Sequence, residues 1–330
     1  MAKNTINDVV ASIDKEFGKG TVINFEENVK DIAFISSGSI ALDIALGGGY
    51  PKGRIIEAYG AESSGKTTAA LHAIVEVQKE GLMAVYFDYE NALDPVYMAS
   101  VGVDLSKDKL LIVYPESTEQ GFEMMRRFVK ADEVGIIVID SVAAMVPKSE
   151  LQGDFGDSKM GLQARAMSQA MRMLVSDIKK SDCIAFFINQ IRDKIGVVFG
   201  DPTTTTGGNA LKFYASQRIR LAKSTSQKDK EGETISTTTK VTIDKNKVAP
   251  PKRKCQINIR FGEGFDKVIE LIDMGVELGI ISKSGSWFNY GDTKLGQGQE
   301  SVRVMMMDNP ELSEEIEHKI RVNVGLTEEE

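Results

Sequence analysis

Between Arg54 and Lys79 the chain passes from an apolar run, IIEAYG, into Gly60-Ala61-Glu62-Ser63-Ser64-Gly65-Lys66-Thr67 and then into TAALHAIVEVQK at helical spacing. Few folds accommodate that succession. Strand, G-x-x-x-x-G-K-T loop and helix follow in the order a phosphate cradle requires. Glycines let the loop's amide groups turn inward, and the helix N-terminus adds positive potential for an anion. Lys66 is placed to reach the β- and γ-phosphates, Thr67 offers its hydroxyl to Mg²⁺, and Thr68 completes the first turn around the nucleotide. A loop of this kind sits at the edge of a parallel sheet, so the expected fold class is α/β.

The rest of the chain supplies such a sheet. Runs rich in Val, Ile and Phe at 54–60, 83–90, 109–115, 135–140 and 183–190 alternate with longer helical patterns. This predicts βαβ units with a mostly parallel, twisted, buried sheet flanked by helices. The run GIIVID ends in Asp140, at the strand edge where ligands of open α/β sheets bind, and pairs with Thr67 as a metal-site residue. MAVYFDYE ends with Asp88 and Glu90 at the same edge. Glu90 is the preferred general base, with Asp88 as its competitor. The only Asn-Lys pair runs Asn246-Lys247-Val248-Ala249, so the N-K-x-D guanine motif is missing and ATP is favoured over GTP.

Charge and composition restrict the partners. The net charge is −8, but residues 311–330 hold seven Glu against Lys319 and Arg321, leaving the remainder nearly balanced. Lys245, Lys247, Lys252, Arg253 and Lys254 cluster around Pro250 and Pro251. With two cysteines, Cys183 and Cys255, and two histidines, His72 and His318, all well separated, a Cys/His metal site has no material. Any metal is expected on oxygen ligands, the thiols buried and free, and His72 in a packing role. No run approaches the ~20 apolar residues of a membrane span, and the start MAKNTINDVV has no apolar signal core, so a cytoplasmic location is expected.

Residues 6–17 place Ile6, Val9, Val10, Ile13 and Phe17 on one helical face. The expected organisation is an N-terminal helix and linker over 1–33, a core over 34–265, and a small C-terminal α/β domain with a short acidic tail over 266–330. The polar stretch 224–239 reads as an exposed hairpin or loop. Two further loops leave the nucleotide edge: 150–160 (ELQGDFGDSKM) and 191–209 (IRDKIGVVFGDPTTTTGGN), the second opening directly after Asn189-Gln190. Loops of that length inside a compact domain usually serve function or are disordered, and Gln190 is placed to sense nucleotide state.

With SGSIALDIALGGGYPKG, DYENALDPVYMASVGVD, IIVIDSVAAMVPKSELQGDFGDSKMGLQARAMSQAMR, FFINQIRDKIGVVFGDPTTTTGGNALKFYAS and KNKVAPP in view, the chain resembles the bacterial RecA recombinase family along nearly its whole length. GSWFNYGDTKLGQGQE and DNPELSEEIEHKIR resemble that family's C-terminal signature. The resemblance implies a RecA-type core that uses ATP and Mg²⁺ to form a homo-oligomeric helical filament on single-stranded DNA. It further implies pairing with homologous double-stranded DNA, strand exchange, and co-protease action on a repressor in the DNA-damage (SOS) response. By motif, Glu90 resembles the water-activating residue, Gln190 the γ-phosphate sensor, and Asp94 and Tyr97 the adenine contacts. Phe261 stands where the family commonly has a stacking Tyr. Lys245 and Lys247 resemble groups reaching the ATP of the adjacent subunit, and Phe213 a subunit contact.

The same resemblance assigns DNA-binding roles to Met160, Arg165 and Arg172 with the first loop. With the second loop it assigns them to Arg192, Lys194, Ile195, Gly196, Val197, Phe199, Thr206, Gly207, Gly208 and Asn209. Departures are a short GGGYPKG loop, the carboxylate of Asp193 between Arg192 and Lys194, and an acidic tail cut to Thr327-Glu328-Glu329-Glu330. Two other readings stay open at this point: a ring-forming helicase-like ATPase, and a DNA-coating regulator that does not hydrolyse ATP.

Overall fold

The computed structural model describes residues 5–19, 21–22, 32–154, 161–193, 203–228 and 231–327. They divide into two units, residues 1–33 and 34–330. The first holds α1 (Ile6–Phe17). Its start is fixed by a capping box: the Asp8 amide donates to Thr5 Oγ1 at 3.3 Å and the Thr5 amide to the Asp8 carboxylate at 2.9 Å. Ile6, Val9 and Phe17 are exposed along it.

In the second unit, β1 (Phe34–Ile35) and β2 (Tyr50–Pro51) pair around α2 (Ile40–Leu46). A large sheet follows from β3 (Ile55–Gly60), β4 (Met83–Asp88), β5 (Leu110–Val113), β6 (Val134–Asp140), β7 (Ile184–Asp193), β8 (Thr203–Thr205), β9 (Gln217–Lys228), β10 (Thr234–Asn246), β11 (Lys254–Arg260) and β12 (Gly264–Phe265). Its order is 12-11-10-9-3-7-6-4-5, with β8 paired to β7 alone. Strands 9-3-7-6-4-5 are mutually parallel, while β10, β11 and β12 continue the sheet antiparallel. The helices between them are α3 (Lys66–Lys79), α4 (Pro95–Val101), α5 (Thr118–Phe128), α6 (Lys148–Leu151), α7 (Leu162–Lys179) and α8 (Ala210–Tyr214).

The period-2 alternation of the strands sorts the core into two layers. Ile56, Ala58, Ile136, Val138, Phe186 and Ile188 meet α3 through Ala70, Leu71, Ile74 and Val77. Ile55, Ile137, Ile139 and Phe187 meet α5 and α7 through Phe122, Met125, Met171 and Leu174 on the other face. Each fully buried side chain of this size contributes about 1.5–3 kcal/mol by leaving water, so the sheet edge that carries the polar chemistry rests on a rigid base.

The C-terminal part comprises α9 (Lys267–Glu277), a meander of β13 (Ser282–Ser284), β14 (Trp287–Tyr290) and β15 (Thr293–Gln297), then α10 (Gln299–Met307) and α11 (Pro310–Asn323). Its core of Leu271, Ile272, Phe288, Val302, Met306, Ile316 and Ile320 continues into α2 through Ile40 and Ile44. Glu270 fastens the contact, accepting from Ser39 Oγ at 2.6 Å and from the Ile40 and Ala41 amides at 3.1 and 3.0 Å.

One segment read as a loop, 191–209, is more ordered at its two ends than its sequence suggested. Strand β7 runs on to Asp193, and the threonine run returns as β8, with Ile191 opposite Thr205 and Asp193 opposite Thr203. β-Branched Thr suits the extended pleat even where apolar alternation is missing. The polar stretch 224–239 takes the hairpin form of its two readings, exposed on the β9 arm up to Lys228 but buried at Ser236, Thr237 and Thr239 on the β10 arm. Cys183 is buried and Cys255 half-buried, both free, and burial pushes both thiols up to about 12.

Candidate active site

The parallel strands bring their C-terminal ends to one edge. Gly60 ends β3 level with Gln190 of β7, and Asp88 ends β4 level with Asp140 of β6. The phosphate loop is built above them. Gly65 is left-handed at φ +92°, and a Cβ there would lie 2.3 Å from Ile259 Cδ1, so only glycine fits. Ser63 is also left-handed, at φ +55°. No side chain caps the N-terminus of α3, so its first amides are open to an anion.

Lys66, 8% exposed, curls back to donate to Ala61 O at 2.7 Å. Burial draws its ammonium below the usual lysine range, opposed by Asp140, Glu90 and Glu62. Asp140 Oδ2 accepts from Thr67 Oγ1 at 3.0 Å and from Tyr86 Oη at 2.6 Å. Burial pushes the Asp140 carboxyl up; the Tyr86 and Thr67 hydroxyls pull it back, and Glu90 and Asp88 push the same way as burial.

Asp88 and Glu90 divide their labour. Asp88 Oδ1 accepts from the amides of Glu90 and Asn91 at 3.1 and 2.8 Å, fastening the turn after β4. Glu90 is thereby projected outward, where its Oε1 accepts from Ser141 Oγ and from Gln190 Nε2 at 3.3 Å. Asp94 caps α4 through the amides of Val96 and Tyr97, and Tyr97 Oη meets Thr68 Oγ1 at 2.8 Å. A cavity of about 130 Å³ opens among Thr67, Tyr86, Asp88, Glu90, Tyr97 and Asp140. Asp88 Oδ2 is buried without a hydrogen-bond partner. Among the described residues no three acids converge as a metal cage, but the Asp140 carboxylate, the Thr67 hydroxyl and the unpartnered Asp88 Oδ2 fit a hard cation that takes few protein oxygens and completes its shell elsewhere.

Other predicted residues lie apart from this cavity. Lys245 pairs across β9 with Arg218, level with Glu57 and three residues short of Gly60. Lys247 lies farther still toward the opposite end of the sheet. Lys245 Nζ instead donates to the carbonyls of Lys212 and Phe213 at 2.7 and 2.8 Å, closing the end of α8, on which Phe213 is 71% exposed. Phe261 is exposed just past β11, the strand whose Ile259 faces Gly65.

Arg165 and Arg172 are exposed seven residues apart on α7, and Arg192 is exposed near the end of β7. Gly208 approaches α7 so closely that a Cβ would fall 2.7 Å from Ala164 Cβ, which seats the end of the second loop beside the helix that follows the first. Gly207 is buried next to it, Asn209 is exposed, and the Thr206 hydroxyl donates to Asn189 Oδ1. Met160, Lys194, Ile195, Gly196, Val197 and Phe199 lie outside the described residues. Tyr86 and Ser141 were missed by sequence reading. Tyr86 was signalled by its period-2 spacing from Asp88, whereas Ser141 carried no signal beyond following Asp140.

Fold and site together define a P-loop ATPase. Family models described as "RecA N-terminal domain" and "RecA C-terminal domain" match residues 4–266 and 269–325. Protein RecA of Porphyromonas gingivalis is 57% identical over 311 residues, covering 94% of this chain and 91% of that one. Protein RecA of Streptococcus uberis is 50% identical over 333 residues, covering 99% and 87%, and that of Cytophaga hutchinsonii 52% over 320 residues, covering 96% and 90%. A solved structure described as the RadB recombinase shares the fold at TM-score 0.55 and 20% identity, covering 70% of this chain and 98% of that one. The chain belongs to the RecA family, and is a DNA-dependent ATPase of the recombinase class.

Proposed function

We propose that this chain assembles with ATP into a helical filament on single-stranded DNA, pairs that strand with homologous duplex and exchanges strands. We extend the reading to co-protease action on a repressor in the DNA-damage response, in the cytoplasm. No helix among the described residues is long and apolar enough to cross a membrane. The observation that carries the reading is Gln190. Its side chain donates to Glu90 while its carbonyl accepts from the Thr206 amide at 3.4 Å, so one residue joins the hydrolytic site to the second loop.

In this reading the α3 amides and Lys66 grip the phosphates, and the ring of Tyr97 with Asp94 receives the base. Thr67 and Asp140 hold Mg²⁺, which when bound offsets charge on the β- and γ-phosphates. Glu90 takes the proton of the attacking water at a carboxylate oxygen, and Ser141 fixes its orientation. Gln190 moves from Glu90 to the γ-phosphate and carries Thr206 with it, resetting the second loop for DNA. Arg165, Arg172 and Arg192, with the amides of Gly207, Gly208 and Asn209, hold DNA phosphates without reading sequence. Lys245 and Lys247, set back along the strands from their own phosphate loop, serve the nucleotide of a neighbouring subunit, whose surface Phe213 joins. The set Lys66, Glu90 and Asp140 supports turnover rather than static DNA coating.

Electron microscopy of the chain with ATP and single-stranded DNA tests the reading. Open helical filaments are expected, and their loss in Lys66→Ala. Closed rings, or assembly indifferent to nucleotide, would contradict it.

A further inference from the structure

A buried ionic relay lies beneath the second loop and takes no part in gripping nucleotide. Glu57 is fully buried in the middle of β3, between Ile56 and Ala58. Its two oxygens are shared between opposite neighbours: Oε1 accepts from Asn189 Nδ2 at 2.9 Å, and Oε2 from Arg218 Nε at 2.5 Å. On one side, Asn189 ties down the loop. Its Nδ2 also donates to Thr206 O at 3.1 Å, and its Oδ1 accepts from the Thr206 hydroxyl and from the Gln190 amide at 2.9 Å. On the other side, Arg218 lies over the Tyr59 ring at 4.6 Å, and Tyr59 Oη donates to Asp244. Arg218 is also the register partner of Lys245, the cation that closes α8 beneath Phe213.

A buried ion pair is on balance no more stabilising than apolar side chains of the same volume, so stability alone does not account for a carboxylate inside this strand. What Glu57 adds is a charged link between Asn189 and Arg218 inside the sheet, beside the surface link in which Lys212 donates to Thr204 Oγ1 at 2.9 Å and accepts from Lys245 at 2.7 Å. We infer that Glu57 is a positioning residue that couples the second loop, through Asn189, to the Arg218–Lys245 face that carries Phe213. A shift of Thr206 changes how Asn189 shares its amide between Thr206 and Glu57. The carboxylate then changes its grip on Arg218, which reorients the cations on that face. The electrostatics agree: Lys245 is drawn below the usual lysine range by burial, then by Lys247 and Arg218, while Glu57 opposes.

The inference rests on the proposed function, in which the second loop takes DNA and the Lys245 face meets the next subunit. The test is steady-state ATP hydrolysis by the full chain carrying Glu57→Gln. Gln still accepts from Asn189 but leaves Arg218 without its counter-charge. The factor by which single-stranded DNA stimulates kcat is expected to fall by at least about tenfold, a typical size for coupling between sites. The DNA-free rate is expected to stay within about twofold of wild type, since Glu57 touches no residue of its own phosphate site. Arg218→Lys keeps the charge but loses the Nε contact and the ring stacking. It is expected to lose roughly threefold or more of the stimulation, and it decides the matter should Glu57→Gln not fold. A wild type stimulated by DNA, with both variants stimulated equally and only their melting temperatures lowered, overturns the inference and leaves the proposed function standing. A wild type indifferent to DNA overturns both.

Discussion

At the scale of single residues the site turns on Asp140. Burial raises its pKa, and the nearby carboxylates of Glu90 and Asp88 push the same way. The Tyr86 hydroxyl works against that by stabilising the charged form of Asp140. Removing it in Tyr86→Phe raises the Asp140 pKa further, so protons compete with Mg²⁺ up to a higher pH. The Mg²⁺ concentration for half-maximal ATP hydrolysis is expected to rise in this variant, and to rise more as the pH is lowered; metal titrations at two pH values check it. Glu90→Ala is expected to keep ATP binding but cut hydrolysis by about 10²–10⁴-fold, leaving filaments that persist. Normal turnover in that variant would move the general base elsewhere. Gly65→Ala tests the loop itself, because the new Cβ meets Ile259 at 2.3 Å and the residue is held at φ +92°. Destabilisation by about 1–3 kcal/mol is expected from denaturant unfolding, with loss of nucleotide binding.

Elements carry the site by being packed, and here His72 is informative. On α3 its Nε2 accepts from the Phe265 amide at 2.7 Å, and its ring stacks on Phe265 at 4.1 Å. Burial, then Lys267, drives its pKa down to about 3, with Lys79 acting the same way and Glu76 opposing. The unfolded chain binds a proton there below about pH 6.5 and the folded chain does not, so stability is full above that pH and falls as pH drops toward the folded value. The loss between pH 7 and pH 5 from this group is about 2 kcal/mol. Urea unfolding at the two pH values is expected to show that loss, and His72→Gln to lack it. That packing role was legible from the helical pattern of residues 66–79. So were the five parallel strands β3 to β7, because short apolar runs alternating with helical patterns have one place in a buried parallel sheet. The strand character of Thr203–Thr205 was not legible, since its partner is the end of β7 and no local alternation marks it. Nor was the turn-fastening role of Asp88, which depends on amides two and three residues on and looks the same in sequence as a second base. The placement of Lys245 became readable only through strand register, which sets it level with Glu57, three residues short of Gly60.

For the whole molecule, the account joins three places on one sheet: the phosphate loop at one edge, the end of the second loop where Gly208 meets α7, and the Lys245–Phe213 face. Residue Gln190 connects the first two and Glu57 the last two. In the proposed function the third serves assembly, so Phe213→Ala is expected to leave monomer fold intact and weaken nucleotide-dependent association by roughly tenfold or more, as loss of an exposed aromatic anchor does; sedimentation with ATP and single-stranded DNA measures it. The central claim is that DNA and nucleotide are bound by one coupled device. Its most direct test is the rate of ATP hydrolysis with and without single-stranded DNA, with Lys66→Ala as the blank. The account predicts a rate that rises steeply with DNA and vanishes in the blank. A rate that survives in wild type but ignores DNA would leave a P-loop ATPase whose loops are not wired to its phosphate site, and would contradict the account.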